Sequence, residues 1–198
     1  YLYPSCTLDT AFNLGGGVVL DFGAPDAAWV VALATRDNQV TFAANVLFEG
    51  ASNLDGVVGR LLEDGELDPS FSGDGWTVLD GRAGHDTLLG VALAPGGRIY
   101  ASGYGFLPDG TQGDMYLFAL NANGAPVPGF GLDGLVTVDF GAVTHDPHDV
   151  AADAALLADG GVLLAGYAAV DVGSGFAAAL AKVRPDGALD PSFGSGGR

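Results

Sequence analysis

The sequence predicts an all-β chain built from tandem units of four short antiparallel strands. Three observations predict it. One segment is written four times: Leu8-Asp9-Thr10-Ala11-Phe12, Leu67-Asp68-Pro69-Ser70-Phe71, a worn copy at Phe130-Gly131, and Leu189-Asp190-Pro191-Ser192-Phe193. Its phenylalanines are spaced at 59, 59 and 63 residues, a period that marks an array of supersecondary units. Between the copies run short apolar or alternating segments bounded by Gly, Asn, Asp and Pro, as antiparallel strands joined by turns are. With 33 glycines and 10 prolines in 198 residues, and 48% hydrophobic content, the chain is turn-rich and long enough to bury one core.

The second copy shows the unit. Trp76–Leu79 is β-rich and follows a Gly-Asp-Gly turn; Thr87–Leu93 is a nearly continuous apolar run. Pro95-Gly96-Gly97 turns the chain and Arg98–Tyr104 runs back. After a loop through Asp109-Gly110, Asp114–Leu120 is a further strand, closed by Asn123-Gly124. Asp64-Gly65, Asn123-Gly124 and Asp186-Gly187 share one position in three copies, and such pairs are expected to supply the positive φ angles of tight hairpins. The alanine-rich run Ala151–Ala158 reads as strand, because its partners Ala27–Ala34 and Leu88–Ala94 do and a turn follows it at once.

Four short antiparallel strands per unit, in tandem, predict the blades of a β-propeller; a β-helix or a leucine-rich repeat has shorter coils. The near-continuous apolar strand (Trp29–Thr35, Leu88–Ala94, Val150–Ala158) is expected innermost, buried on both faces. The strand after the repeated motif (Gly17–Phe22, Trp76–Asp80, Leu135–Phe140) is expected outermost. This makes 1–198 a single half-propeller domain with blades at about 26–80, 86–139 and 149–193 and a spare strand at 17–22. Three blades are too few for a ring of the usual 4–8. A second chain lending Gly17–Phe22 to the last blade would give about six, so a homodimer is expected; further repeats in a longer polypeptide are the rival.

The motif LDPSFGSGGR (Leu189–Arg198), the turns PDG and ADGG, the runs RIYASGY (Arg98–Tyr104) and VLLAGYA (Val162–Ala168), and the period near 60 resemble the delta-60 repeat β-propeller proteins. The likeness covers nearly the whole chain. Copy one departs: Arg36-Asp37-Asn38 replaces the Asp-Gly turn, and Asn45 stands where the others have Tyr104 and Tyr167. The resemblance implies a bacterial, exported protein, extracellular or at the cell surface, with no defined general activity. The motif marks a fold and carries no catalytic residue with it.

The formal charge is −17, from 24 acidic and 7 basic residues. That argues against nucleic acid and anionic membranes as partners. Only Glu49, Glu63 and Glu66 are glutamates; the rest are aspartates, a turn residue first and a Ca²⁺ ligand second. Cys6 is the one cysteine, so no disulfide forms within the chain. No apolar run is long enough for a transmembrane helix. Tyr1-Leu2-Tyr3-Pro4 has no signal-peptide pattern, which says nothing about export.

The candidate metal ligands are Asp26, Asp86, Asp149 and His148. The three aspartates are expected at equivalent heights on successive blades, where a carboxylate ring would draw Ca²⁺ or a cationic ligand. The plainer reading is that each bonds the backbone of its own loop. His145-Asp146-Pro147-His148-Asp149 is the most metal-like cluster, but His85-Asp86 repeats its last pair, so a structural role at the start of the inner strand is favoured. Asp21, Asp80 and Asp139 form a second repeated set on the outer strand. Arg60 and Lys182 share a position on the strand before it, and local ion pairing accounts for them. No nucleophile elbow, Cys–His pair or phosphate-cradling loop is found. A non-catalytic binding module is therefore favoured. A hydrolase or lyase at one channel mouth, marked by His145 and Asp146, is the alternative, and a structural fragment of a longer propeller is a third.

Overall fold

The computed structural model describes residues 7–23, 25–81, 84–107, 110–111, 113–141, 148–171 and 175–198. Cys6, His145, Asp146 and Asp109 lie outside them. The described chain is almost wholly β. One four-stranded sheet has the order β1 (Pro25–Arg36), β2 (Gln39–Phe48), β3 (Asp55–Leu61), β4 (Trp76–Leu79). A second has β5 (Asp86–Leu93), β6 (Ile99–Gly105), β7 (Asp114–Leu120), β8 (Leu135–Val138). The third has three strands, β9 (Val150–Leu156), β10 (Val162–Asp171) and β11 (Gly175–Val183). All pairs are antiparallel neighbours in sequence. The sheets are propeller-like blades in an open array, and the first strand of each later sheet packs chiefly on the first two strands of the one before.

Each junction is an apolar layer. Ala43, Val58 and Phe71 of the first blade meet Leu88, Ile99 and Phe118 of the second. Met115, Leu117 and Phe130 of the second meet Leu164, Ala179 and Ala181 of the third. One cross-strand pair shows how three different sequences fill the same space. Phe42 faces Gly59, Ala101 faces Phe118, and Leu164 faces Ala181. A Cβ on Gly59 would overlap the Phe42 ring at Cζ, so the large side chain and the absent one compensate each other.

Two expectations are corrected. Gly17–Phe22 forms no strand. Its burial alternates as a strand's would: Val18, Leu20 and Phe22 pack on the outward face of the first blade while Val19 is 95% exposed. The Asp-Gly turns also differ. Only the glycines have positive φ, at 88°, 87° and 86° for Gly65, Gly124 and Gly187. Leu62 N–H donates to the Glu66 carbonyl and Gly65 N–H to that of Leu62, which is a three-residue loop ending in a left-handed glycine. The two-residue left-handed turn occurs where copy one departs, at Asp37 (φ 50°) and Asn38 (φ 62°).

That shorter turn moves β1. Trp29 faces Asn45, while Thr87 and Val150 face the equivalent Tyr104 and Tyr167. Each inner strand then bulges, at Val31, Leu89 and Ala152. Ala28 therefore stands where the other blades have Asp86 and Asp149, and Asp26 is two residues away and exposed.

Candidate functional site

The array has two rims. The turn rim carries the tight turns and the repeated motif. The crossover rim carries the chain from the outer strand of one blade to the inner strand of the next.

At the crossover rim, Asp86 and Asp149 are buried, at 0% and 2% exposure. Asp86 Oδ2 accepts from Gly81 N–H (2.7 Å) and Asp149 Oδ2 from Phe140 N–H (2.6 Å), just past β4 and β8. Asp149 Oδ1 also accepts from Ala169 N–H (3.2 Å). Their own N–H groups donate to Leu54 and Gly113 of the preceding blade, at 2.8 Å each. Each aspartate thus staples its crossover and ties it to the blade before. The histidines work beside them: His85 Nδ1 accepts from Leu54 N–H (3.1 Å), and the His148 ring meets Phe106 edge-on at 4.8 Å.

The structure does not gather Asp26, Asp86, Asp149 and His148 into one site. Among the described residues it brings Asp149 together with Asp114 and Asp139, one ligand oxygen of each lying within 4.8 Å of the others. Asp55, Asp80 and Asp86 hold the same repeat positions one blade earlier. Burial, and then the Asp139 charge, push the Asp149 carboxyl up, while hydrogen bonds and Arg198 oppose them. Burial and Asp80 likewise raise Asp55. Three carboxylates suit a hard cation such as Ca²⁺ in kind, but Asp149 already spends both oxygens on backbone N–H groups. Asp114 was missed in the sequence because the cluster draws its members from the start of β7, the residue after β8 and the residue before β9, which only the fold brings together.

At the turn rim the motif folds the same way four times. The phenylalanine N–H donates to the carbonyl three residues back, and a glycine N–H four residues on donates to the phenylalanine carbonyl. Asp68 Oδ1 accepts from Ser70 N–H and Oγ–H, and Asp190 does so from Ser192. Their other oxygens pair with Arg60 Nε (2.7 Å) and Lys182 Nζ (2.9 Å). The ion pairs expected for Arg60 and Lys182 thus form with the motif, not with the outer-strand aspartates. In the third, worn copy the same two positions are Ala119 and Val127, joined by backbone alone.

The motif also latches one blade to the next. Asn13 N–H donates to Asp64 O (2.6 Å), Ser72 N–H to Asn123 O (2.8 Å) and Gly131 N–H to Asp186 O (3.4 Å). In two of the latches the phenylalanine ring lies against the turn glycine: a Cβ on Gly65 would come within 3.0 Å of Phe12, and one on Gly124 within 2.8 Å of Phe71. Asn45, the other departure of copy one, is a second clamp. It is fully buried, and its amide exchanges two hydrogen bonds with the backbone of Leu88, at 2.7 and 3.0 Å.

A family model described as "Domain of unknown function (DUF5122) beta-propeller" matches residues 157–193. These run from the turn after β9 to the phenylalanine of the fourth motif copy, and the match supports a β-propeller repeat for this chain. No curated protein matches it. Among the described residues, no helix is long and apolar enough to cross a membrane.

Proposed function

We propose that this chain is a three-blade section of a delta-60-type β-propeller and serves as a non-catalytic interaction module of an exported protein. The observation that carries the reading is how the repeated polar groups are spent. Asp86 and Asp149 hold crossovers, Asp68 and Asp190 hold the motif, and Asn45 clamps one blade to the next. The large apolar side chains left in water stand mainly at the two ends of the array. Val30 and Leu33 are on the first blade (46% and 64% exposed), and Phe176 and Leu180 are on the third (58% and 45%). Surfaces of that kind are for contact. The export assignment follows the family resemblance. Two such chains would supply about six blades, within the range at which propellers close.

A glycosidase, esterase and lyase screen of the purified chain tests the reading. No turnover above that of an Asp114→Asn/Asp139→Asn double variant is expected. Turnover lost in that variant would replace the module with a hydrolase or lyase at the crossover rim.

A further inference from the structure

The first blade differs from the later two at three positions that meet in one place. Arg36 closes the β1–β2 hairpin against Gln39, where the later blades have Ala94 against Arg98 and Leu157 against Gly161. Asp37 stands in the shortened turn that follows. Thr41, opposite Arg60 on β3, holds the slot that Tyr100 holds opposite Ala119 and Leu163 opposite Lys182. The later blades pair their first three strands in the same order without these side chains.

Their effect is to open a junction. Between the second and third blades Tyr100 is 1% exposed, and its ring packs on Phe130 at 5.7 Å. Between the first and second, the Arg60 guanidinium lies over Phe71 at 5.2 Å instead, and beside the shorter Thr41 is a cavity of about 320 Å³. Arg36, Asp37, Gln39, Thr41 and Arg60 line it from the first blade, and the Gly96-Gly97 turn lines it from the second.

The fold does not use up these polar groups. Arg36 Nη2 donates to the Leu93 carbonyl across the junction at 3.0 Å, and Arg36 forms no ion pair among the described residues. That one bond steadies the guanidinium and leaves most of its N–H groups for a ligand. Thr41 is 3% exposed, and its hydroxyl bonds no described residue. Gln39 Nε2 donates to Asp68 at 3.2 Å, which leaves Oε1 as an acceptor. The chain carries a net charge of −17, but here Arg36 and Arg60 offset Asp37 and Asp68.

We propose that this cavity binds a sugar acid the size of one monosaccharide. Arg36 takes the carboxylate, because a guanidinium presents paired N–H groups that match its two oxygens. Thr41, Gln39 Oε1 and Asp37 take hydroxyls, which can donate to these acceptors where a simple anion cannot. The volume is at the lower end of the range for small-molecule sites, about 300–1,000 Å³. This names a ligand class for the interaction module proposed above and rests on that reading.

Chemical-shift titration of the chain with glucuronate, glucose and inorganic phosphate tests it, with circular dichroism on every variant. Glucuronate is expected to shift the amides of Thr41, Gly96 and Gly97 and to be recovered unchanged. Glucose, without the carboxylate, should bind about tenfold more weakly, as loss of a charge-assisted hydrogen bond does. Arg36→Gln should weaken glucuronate by a similar factor and leave glucose unchanged. Thr41→Leu copies Leu163 opposite Lys182, so it should fold, fill the cavity and bind neither sugar. Arg36→Gln carries the test alone if Thr41→Leu fails to fold. Glucose as tight as glucuronate, or Arg36→Gln as tight for glucuronate as the wild type, overturns the assignment. Phosphate tighter than glucuronate makes the cavity a simple anion site and overturns the sugar. No shift at millimolar glucuronate overturns the inference and leaves the module standing; glucuronate converted to product overturns both.

Discussion

The same residue type does opposite things at the two rims. At the turn rim Asp68, Asp159 and Asp190 each bond a cation and nearby donors, and all three carboxyls are held below the usual range. At the crossover rim Asp55 and Asp149 sit among other carboxylates, and burial first, then like charge, holds them above it. The turn rim binds its motif through charge. The crossover rim keeps its charge for geometry, because an aspartate reaches the backbone N–H groups of a crossover that no apolar side chain can satisfy. A strongly acidic chain thus distributes its carboxylates between a stabilising role and a positioning one.

The comparison breaks first at Arg60. Arg60→Ala leaves the Asp68 carboxylate, 3% exposed, without its cation. It should cost about 2–3 kcal/mol in urea unfolding, between an exposed and a buried pair. Arg60→Ala with Asp68→Val copies the Ala119 and Val127 of the third copy and should recover most of that loss. A double variant as unstable as the single one would show that the pair adds more than its desolvation costs.

At the other rim, Asp149→Ala should cost about 2 kcal/mol, because the Phe140 and Ala169 N–H groups lose their acceptor. Asp149→Asn keeps one acceptor and removes the like charge facing Asp139, so it should cost clearly less. Equal losses would mean that charge, not geometry, is what Asp149 supplies.

The pH dependence sharpens the contrast with smaller effects. For Asp55 and Asp149 the folded chain holds the proton more tightly than the unfolded one. Stability therefore rises as pH falls through their folded-state values and is lost as pH climbs back through them. For Asp68, Asp159 and Asp190 the contribution is full above the unfolded value of about 3.9 and is lost as pH falls through their lower folded values. Thermal melts at low salt should peak on the acid side of neutrality, and Asp149→Asn should flatten the limb above the peak. A curve that falls steadily from pH 7 downward would contradict the raised values. The smallest effect concerns metal: melts in Ca²⁺ and in chelator should superimpose, and a clear rise in Ca²⁺ would make the Asp114–Asp139–Asp149 group a binding site.

Much of the fold was legible because it is written in local pattern. The apolar runs, the turns and the motif gave the order of strands within each sheet, but not the two-sided burial expected of the first strand, since β1 and β9 are largely exposed. Less of the candidate site was legible, because it depends on register. Asp26 looks aligned with Asp86 along the chain, but the two-residue turn at Asp37-Asn38 slides β1 and puts Ala28 there instead. Asn45 was visible as a departure, yet its purpose lies at Leu88, 43 residues away. The Asp114–Asp139–Asp149 cluster needs three strands assembled before its members meet. The repeated phenylalanine announced a period; only the packing shows that it joins one repeat to the next.

Tandem repeats of like sequence are exposed to a particular error, in which a strand from one unit inserts into the sheet of another. The pairs Phe42–Gly59, Ala101–Phe118 and Leu164–Ala181 work against it. If β2 were to pair with β7, Phe42 would confront Phe118 in space meant for one ring. If β6 paired with β3, Ala101 would face Gly59 across a void. Either mistake loses packing that the correct partner supplies. The alternation of large and small between repeats thus works as an address, giving each strand a reason to prefer its own neighbour while the backbone stays the same.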